Sequence, residues 1–558
     1  MANKSYSSIY ALRRIFALVR GDWKDISVVL VYAIGVGLFS LAFPIAVQSL
    51  VNTVAFGTLL QPVVILTIIV AGVLAFSGVM QVIQLYTVEI LQRRLVTRMA
   101  LLLSARIPHI DRQKFDQKFG PEYVLRFLEI FQVQKILATL LLDGIAVFFQ
   151  VVLGLGLVAF YHPIFLAFAL ILLFSVVVLF SLIGINAVAS AVKESDAKYE
   201  LAAWIQDLAS MPTLFKSSPG EILAAQVADK LVDNYLFRRS RHFLHVIWQN
   251  IAALTIQTVA SSMLLGLGGW LVIKGQLTLG QLVAAEIIFG MVLLNIAKMG
   301  KQLERFYDLS AGVAKLDSLL DLPFEDLSGS LFGVREQPAK LTLENISIMS
   351  PALNKPSLEN ASLEIPAGEK VAIWGENGSG KSFLAKIMFR LAEPSQGLVR
   401  LDEFNITTIH PKELRDEVSL ITDIEIFHGT ILDNLTLGRI DAGDAKVRMA
   451  LDLVDLSKDV FALPNGLTTV LRGTPFPLSR GQALRLMVAR GILNNPRLLI
   501  LDGTLDLIDE KARKHILNSL FSPACPWTTL VFTHEEDILK QFPVAYTISN
   551  KQFEEVRR

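Results

Sequence analysis

Apolar positions crowd into the first 300 residues in long unbroken runs rather than in alternation. Six of these runs are long enough, at about 20 apolar residues, to cross a bilayer as helices. They fall near residues 26–50, 62–87, 136–160, 163–186, 246–273 and 278–300. Pro44, Pro163 and several glycines lie within or beside them, which spanning helices tolerate. The stretch before the first run, "MANKSYSSIYALRRIFALVRGDWKD", is basic and amphipathic and predicts a helix lying on the membrane surface. Within it no small-residue cleavage site follows a short apolar core, so no cleavable signal peptide is expected.

Basic residues set the orientation. Lys4, Arg13, Arg14, Arg20 and Lys24 precede the first run. Arg93, Arg94, Arg98, Arg106 and Arg112 lie in the 88–135 segment, and Arg238, Arg239 and Arg241 in the 187–245 segment. The alternate connections, "VNTVAFGTLLQP", "YH" and "IKGQLT", are short and carry only Lys274. The excess of Lys and Arg on one side predicts cytoplasmic termini and two long cytoplasmic segments. Residues 88–108 and 187–210 are too apolar for disordered loops and predict that spans two to five continue as helices into the cytoplasm, turning at 108–123 and 204–220.

After the sixth run, "KQLERFYDLSAGVAKLDSLLDLP" predicts a helix, and residues 324–340 a linker. Beyond it the pattern changes to short apolar strands, "KLTLENISI", "ASLEI", "KVAIW", "PRLLILD" and "TTLVFTH", separated by helical stretches. The expected architecture is multi-domain: an all-α six-helix transmembrane domain over 1–323, then an α/β domain over 341–558. Composition agrees with a membrane protein carrying a soluble part: 53% hydrophobic residues, 18% charged and a mean hydropathy of +0.50. A net charge of +1 gives no ground for a nucleic-acid partner, and none is expected. A single cysteine, Cys525, excludes an intramolecular disulfide framework.

"GENGSGKS" at 375–382 follows the strand "KVAIW" and opens the helical "FLAKIMFRLA", the context a phosphate loop requires. Gly375, Glu376, Asn377, Gly378, Ser379 and Gly380 would turn backbone N–H groups inward onto phosphates, helped by the helix N-terminus. Lys381 would reach the β- and γ-phosphates, and Ser382 would ligate Mg²⁺.

Further on come "LSRGQ" at 478–482, the strand ending in Asp502, and "VFTH" ending in His534. This order of motifs resembles the ATPase of ABC transporters, and six preceding spans with long cytoplasmic extensions resemble an exporter half-transporter. The resemblance covers nearly the whole chain, "GQLTLGQLVA" at 275–284 included. It implies an α/β P-loop ATPase that takes ATP and Mg²⁺, with Ser382 and Asp502 at the metal and His534 at the γ-phosphate. Two such domains sandwich two nucleotides, so Leu478, Ser479, Arg480, Gly481 and Gln482 would face a partner's ATP, and Asp509 would touch the opposite subunit. Arg480 stands where the family usually has Gly.

Three departures fall on the chain's own nucleotide site. Gly503 replaces the glutamate that polarises the attacking water. The family's Gln should fall near Thr422, and the aromatic that stacks on adenine near Ser350. Asp506, Glu535 and Glu536 are read as surface charges rather than substitutes for the base.

Within the spans, Asp143 and Glu286 are read either as functional carboxylates facing a cavity or as residues near span ends. Gln81, Gln84, Gln150, Gln257 and Asn295 either face a pathway or bond between helices.

These features lead to the expectation of a dimeric ABC exporter subunit in the bilayer, the degenerate partner of a heterodimer, with ATP hydrolysed at the partner's site. A homodimer stays open, and whether this chain itself is an active ATPase is undecided. The alternative is a nucleotide-gated regulator or channel-like subunit that binds ATP without pumping. The cargo is unidentified. The expected location is a bacterial inner membrane with the ATPase domain in the cytoplasm. No peptidase domain precedes the spans in this sequence, so cleavage of a leader peptide in cis is not expected.

Overall fold

The computed structural model describes residues 8–56, 60–111, 125–330, 333, 335–350, 355–439, 443–523 and 525–556. They form two compact units, one ending at Phe324 and the other running from Glu325, with Asp111 grouped with the second.

The first unit is all helix. A short helix, Ser8–Val19, leads through Arg20–Asp22 into Trp23–Ser40 and Ala42–Phe56. Leu60–Arg106 and Ser218–Ile273 are single helices of 47 and 56 residues. At 1.5 Å per residue they extend roughly 70 and 84 Å, more than twice the ~30 Å hydrocarbon core, so each carries a span and a long extension. Leu279–Leu320 is likewise one helix of 42 residues, opened by a capping box between Thr278 and Gln281. Among its described residues the unit holds six helical segments long and apolar enough to cross a membrane.

The fourth span differs from its expectation. Pro163–Ile183 stops at Gly184, and a new helix, Ala187–Ser210, starts after Asn186, whose φ is +64°. The third run also breaks regularity: Leu140–Gly144 forms a π-helical turn between Glu129–Thr139 and Ile145–Ala159. The second expected bottom turn falls at 211–217, around a 3-10 turn Leu214–Lys216. Residues 112–123 of the first lie outside the described residues, as does 57–59 of the connection between spans one and two.

Of the polar residues in the spans, Asn295 donates to Gln150 Oε1 at 2.9 Å, a bond between helices. Asp143 pairs with Arg305 at 3.5 Å and is exposed. Glu286 keeps one buried carboxylate oxygen without a hydrogen-bond partner.

The second unit is α/β. Strands β1 (Leu341–Ser350), β2 (Lys355–Ile365), β3 (Lys370–Trp374), β4 (Gln396–Leu401), β5 (Phe404–Asn405) and β6 (Val418–Ile421) come first. They are followed by β7 (Gly429–Thr430), β8 (Val470–Leu471), β9 (Leu498–Asp502), β10 (Thr528–Thr533), β11 (Val544–Ser549) and β12 (Gln552–Glu555). An antiparallel sheet has the order β2-β1-β4-β5, a six-stranded sheet the order β12-β11-β3-β10-β9-β6, and β7 and β8 form a small ribbon. In the larger sheet β11, β3, β10, β9 and β6 are parallel.

Parallel strands are covered on both faces and read as continuous apolar runs. Every residue of β10 is buried, as are the first four of β9. This stacks the C-terminal ends of β3, β9 and β10 together, where ligands bind in open parallel sheets. Residues 325–330, expected as the start of a linker, are fixed to this unit. Arg415 grips Glu325 through two bonds of 2.9 and 2.6 Å, and Ser330 exchanges backbone bonds with Thr408 and His410.

Candidate nucleotide site

The loop 375–380 leaves the end of β3 and feeds the helix Lys381–Met388. Gly380 has a φ of +94°, and a Cβ there would lie 2.7 Å from Ser357 Oγ. Only glycine fits where β2 presses on the end of the loop. Lys381 is buried, and its Nζ donates to Gly375 O at 2.6 Å, Glu376 O at 3.1 Å and Ser379 Oγ at 3.3 Å. Burial pushes this ammonium down, against the pull of Asp502 and Asp506.

Asp502 closes β9 beside the loop. Its carboxylate accepts the Ser382 hydroxyl. Burial pushes the carboxyl up, opposed by that hydrogen bond and by Lys381. A hydroxyl and a carboxylate held together next to a buried ammonium suit a hard cation with a triphosphate. A cavity of about 230 Å³ opens here, lined by residues 377–383 together with Ile348, Met349, Ser357 and His534.

Gly503 adopts φ +63°, its N–H donates to Phe532 O at 3.0 Å, and space around its Cβ position is empty. No carboxylate is carried there.

His534 is held on three sides. Its backbone N–H donates to Asp506 Oδ2 at 3.0 Å, its carbonyl accepts Trp374 Nε1 at 2.9 Å, and Nδ1 lies 3.4 Å from Lys381 Nζ. Asp506 also accepts the Thr533 hydroxyl at 2.5 Å. The reading of Asp506 as a surface charge is therefore corrected: it binds two groups at the end of β10. Glu536 and Glu535 are exposed. Trp374 was not singled out by sequence and Asp506 was read only as a surface charge, because their tie to His534 is a contact 160 and 28 residues distant.

Ser479 caps the helix Arg480–Leu493. Its Oγ accepts the Gln482 N–H at 3.2 Å, and Gln482 Oε1 accepts the Ser479 N–H at 2.8 Å. Leu478 is buried, Arg480 is exposed, and a Cβ on Gly481 would lie 3.8 Å from Leu507 O. None of residues 478–482 lines the loop's cavity. Asp509 caps the helix Glu510–Leu520 by accepting the Ala512 N–H at 3.0 Å. Thr422 follows β6 and lines a separate groove with Arg490 and Glu425. The side chain of Ser350 lies outside the described residues.

Residues 358–505 match the family model described as ABC transporter. A probable multidrug resistance ABC transporter ATP-binding/permease protein, YheI of Bacillus subtilis, is 28% identical over 279 residues, 50% of this chain and 48% of that protein. The alpha-hemolysin translocation ATP-binding protein HlyB of Escherichia coli is 28% identical over 286 residues, 51% of this chain and 40% of that protein. The aligned part thus spans about half the length of the curated relatives. A solved bacterial Atm1-family ABC exporter with ATP bound superposes with a TM-score of 0.84 at 20% identity, covering 96% of this chain and 95% of that one. The chain carries an ABC transporter ATP-binding domain. That domain is joined to a six-span helical unit in the fold of an ABC exporter, as the order of motifs implied.

Proposed function

We propose that this chain is one half of a dimeric ABC exporter whose own phosphate loop retains ATP and whose signature helix completes the site on a partner chain. In this reading residues 1–323 form the transmembrane domain, 324–340 the linker and 341–558 the nucleotide-binding domain. The ATPase domain and both termini lie in the cytoplasm.

The observation that carries the proposal is the contrast between two sets of residues. Ser479 and Gln482 form a complete capping box away from the chain's own cavity. Lys381, Ser382 and His534 line the cavity and Asp502 interacts with Ser382 and Lys381, but Gly503 offers no proton acceptor. Gly375 to Ser382 would hold the phosphates, and Ser382 and Asp502 the Mg²⁺. His534 would reach the γ-phosphate, and Asp509 would touch the partner subunit. A missing general base costs typically 10²–10⁴-fold in rate, which separates binding from turnover.

Equal support goes to a regulator that binds ATP without pumping, since it too needs no base at Gly503. The test is ATP binding and turnover by the purified chain in lipid, with Lys381→Ala as control. Binding lost in the control, with no turnover above it, is expected. Turnover by the chain alone that depends on Lys381 would overturn the retained-ATP reading. Cargo movement by the chain with its co-purified partner separates an exporter from a regulator.

A further inference from the structure

The nucleotide cavity has two kinds of wall. One is polar: Lys381 Nζ, Ser382 and the His534 ring gather there, with Lys381 and His534 3.4 Å apart. The other is built by β1 and β2, where Ser357 donates to Ile348 O at 3.2 Å and presses on Gly380. Ile348 and Met349 line the cavity from β1, and Phe383 lines it from the helix Lys381–Met388. Met349 is exposed, its backbone N–H fixed by Ser395 Oγ at 3.2 Å. Phe383 is half-buried on the first turn of the helix Lys381–Met388, one residue past Ser382. A triphosphate held by Lys381 and Ser382 would leave the nucleoside to meet the apolar lining.

Stacking requires a flat ring. The segment 346–354, "ISIMSPALN", contains no aromatic residue. Among the described residues, the only rings lining the cavity are His534, on the polar wall, and Phe383.

We infer that Phe383, lining the same cavity as Met349, is the nucleobase platform of this chain's own site, and that it stacks on the purine without reading its edge. This rests on the proposal that the site binds ATP. Phe and Met side chains have no groups that distinguish an adenine edge from a guanine edge, and every base presents a π-face. The site therefore holds GTP about as tightly as ATP.

The experiment measures dissociation constants of Mg-ATP, Mg-GTP and Mg-tripolyphosphate for the full-length chain in lipid. Tripolyphosphate has the charged tail and no base. The wild-type chain is expected to bind ATP and GTP within about threefold of each other. Phe383→Ala, and Phe383→Leu, which keeps most of the packing volume, are expected to weaken both nucleotides about tenfold and to leave tripolyphosphate unchanged. That preserved affinity also shows that the loop is folded. Two results would overturn the inference while leaving ATP binding intact: nucleotide affinity unaltered in Phe383→Leu, or a wild-type preference for ATP over GTP of tenfold or more. Loss of tripolyphosphate and nucleotide affinity together in both variants would mark Phe383 as a packing residue and also overturn it. Absence of any nucleotide binding by the wild-type chain would overturn both readings.

Discussion

Asp506 Oδ2 accepts the backbone N–H of His534 at 3.0 Å, and its other oxygen takes the Thr533 hydroxyl. One side chain therefore fixes the turn that presents the His534 ring to Lys381. Hydrogen bonds to a charged group contribute about 1.5–3 kcal/mol each. Asp506→Ala is expected to lower the thermal midpoint of the ATP-binding unit in the full chain and to weaken Mg-ATP severalfold. Asp506→Asn, which keeps one acceptor oxygen, should fall between. A lowered midpoint with unaltered ATP affinity would show that Asp506 serves only the strand end.

Gly503 sets up a gain-of-function test. The backbone there is left-handed, and the volume a side chain would enter is open. A non-glycine residue in that conformation costs roughly 1–2 kcal/mol, but it meets no clash. The hydrogen bond from Gly503 N–H to Phe532 O holds the backbone whatever side chain is present. Gly503→Glu is expected to raise ATP turnover about 10²-fold above the Lys381→Ala background, the low end of what a general base supplies. No rise, with ATP still bound, would mean that more than the base is missing.

The phosphate loop and the strands around it were legible because their signals are local. Strand "KVAIW" runs straight into the glycines, and β9 and β10 are short apolar runs that end at Asp502 and next to His534. The long helices were legible because their apolar and helical patterns run on without a breaker. The break at Gly184–Asn186 lay inside an apolar run and was read through. The grip of Asp506 and Trp374 on His534 was not legible, since it exists only once three parallel strands end side by side. Phe383 was read as an ordinary helix residue, and only the cavity distinguishes it from its neighbours.

Lys370 gives a pH dependence with a definite sign. Its Nζ donates to Cys525 O at 2.8 Å and to Trp527 O, at the start of the central strand. Burial pushes the ammonium from 10.5 down to about 8. Between those values the unfolded chain binds more protons than the folded one, so stability rises with pH across that window. Below about 8 the ammonium is charged in both states and the gain is lost. The ATP-binding unit is expected to melt at a higher temperature at pH 9.5 than at pH 7.5, and Lys370→Met should flatten the difference. An equal pH response in the variant would assign the effect to other groups.

Ser479 has two separable roles, and two substitutions divide them. Its hydroxyl caps the helix Arg480–Leu493, and in the proposed dimer it also reaches the partner's γ-phosphate. An N-cap serine changed to alanine costs about 0.5–2 kcal/mol, whereas glycine costs only a few tenths. Ser479→Ala is therefore expected to lower the thermal midpoint of the chain, and Ser479→Gly to leave it nearly unchanged. Turnover by the assembled transporter should fall in both, because both lack the hydroxyl. If Ser479→Gly kept full turnover while Ser479→Ala lost it, the hydroxyl would act only on its own helix. The partner's nucleotide would then be bound without it, through the helix N-terminus and the Gly481 N–H.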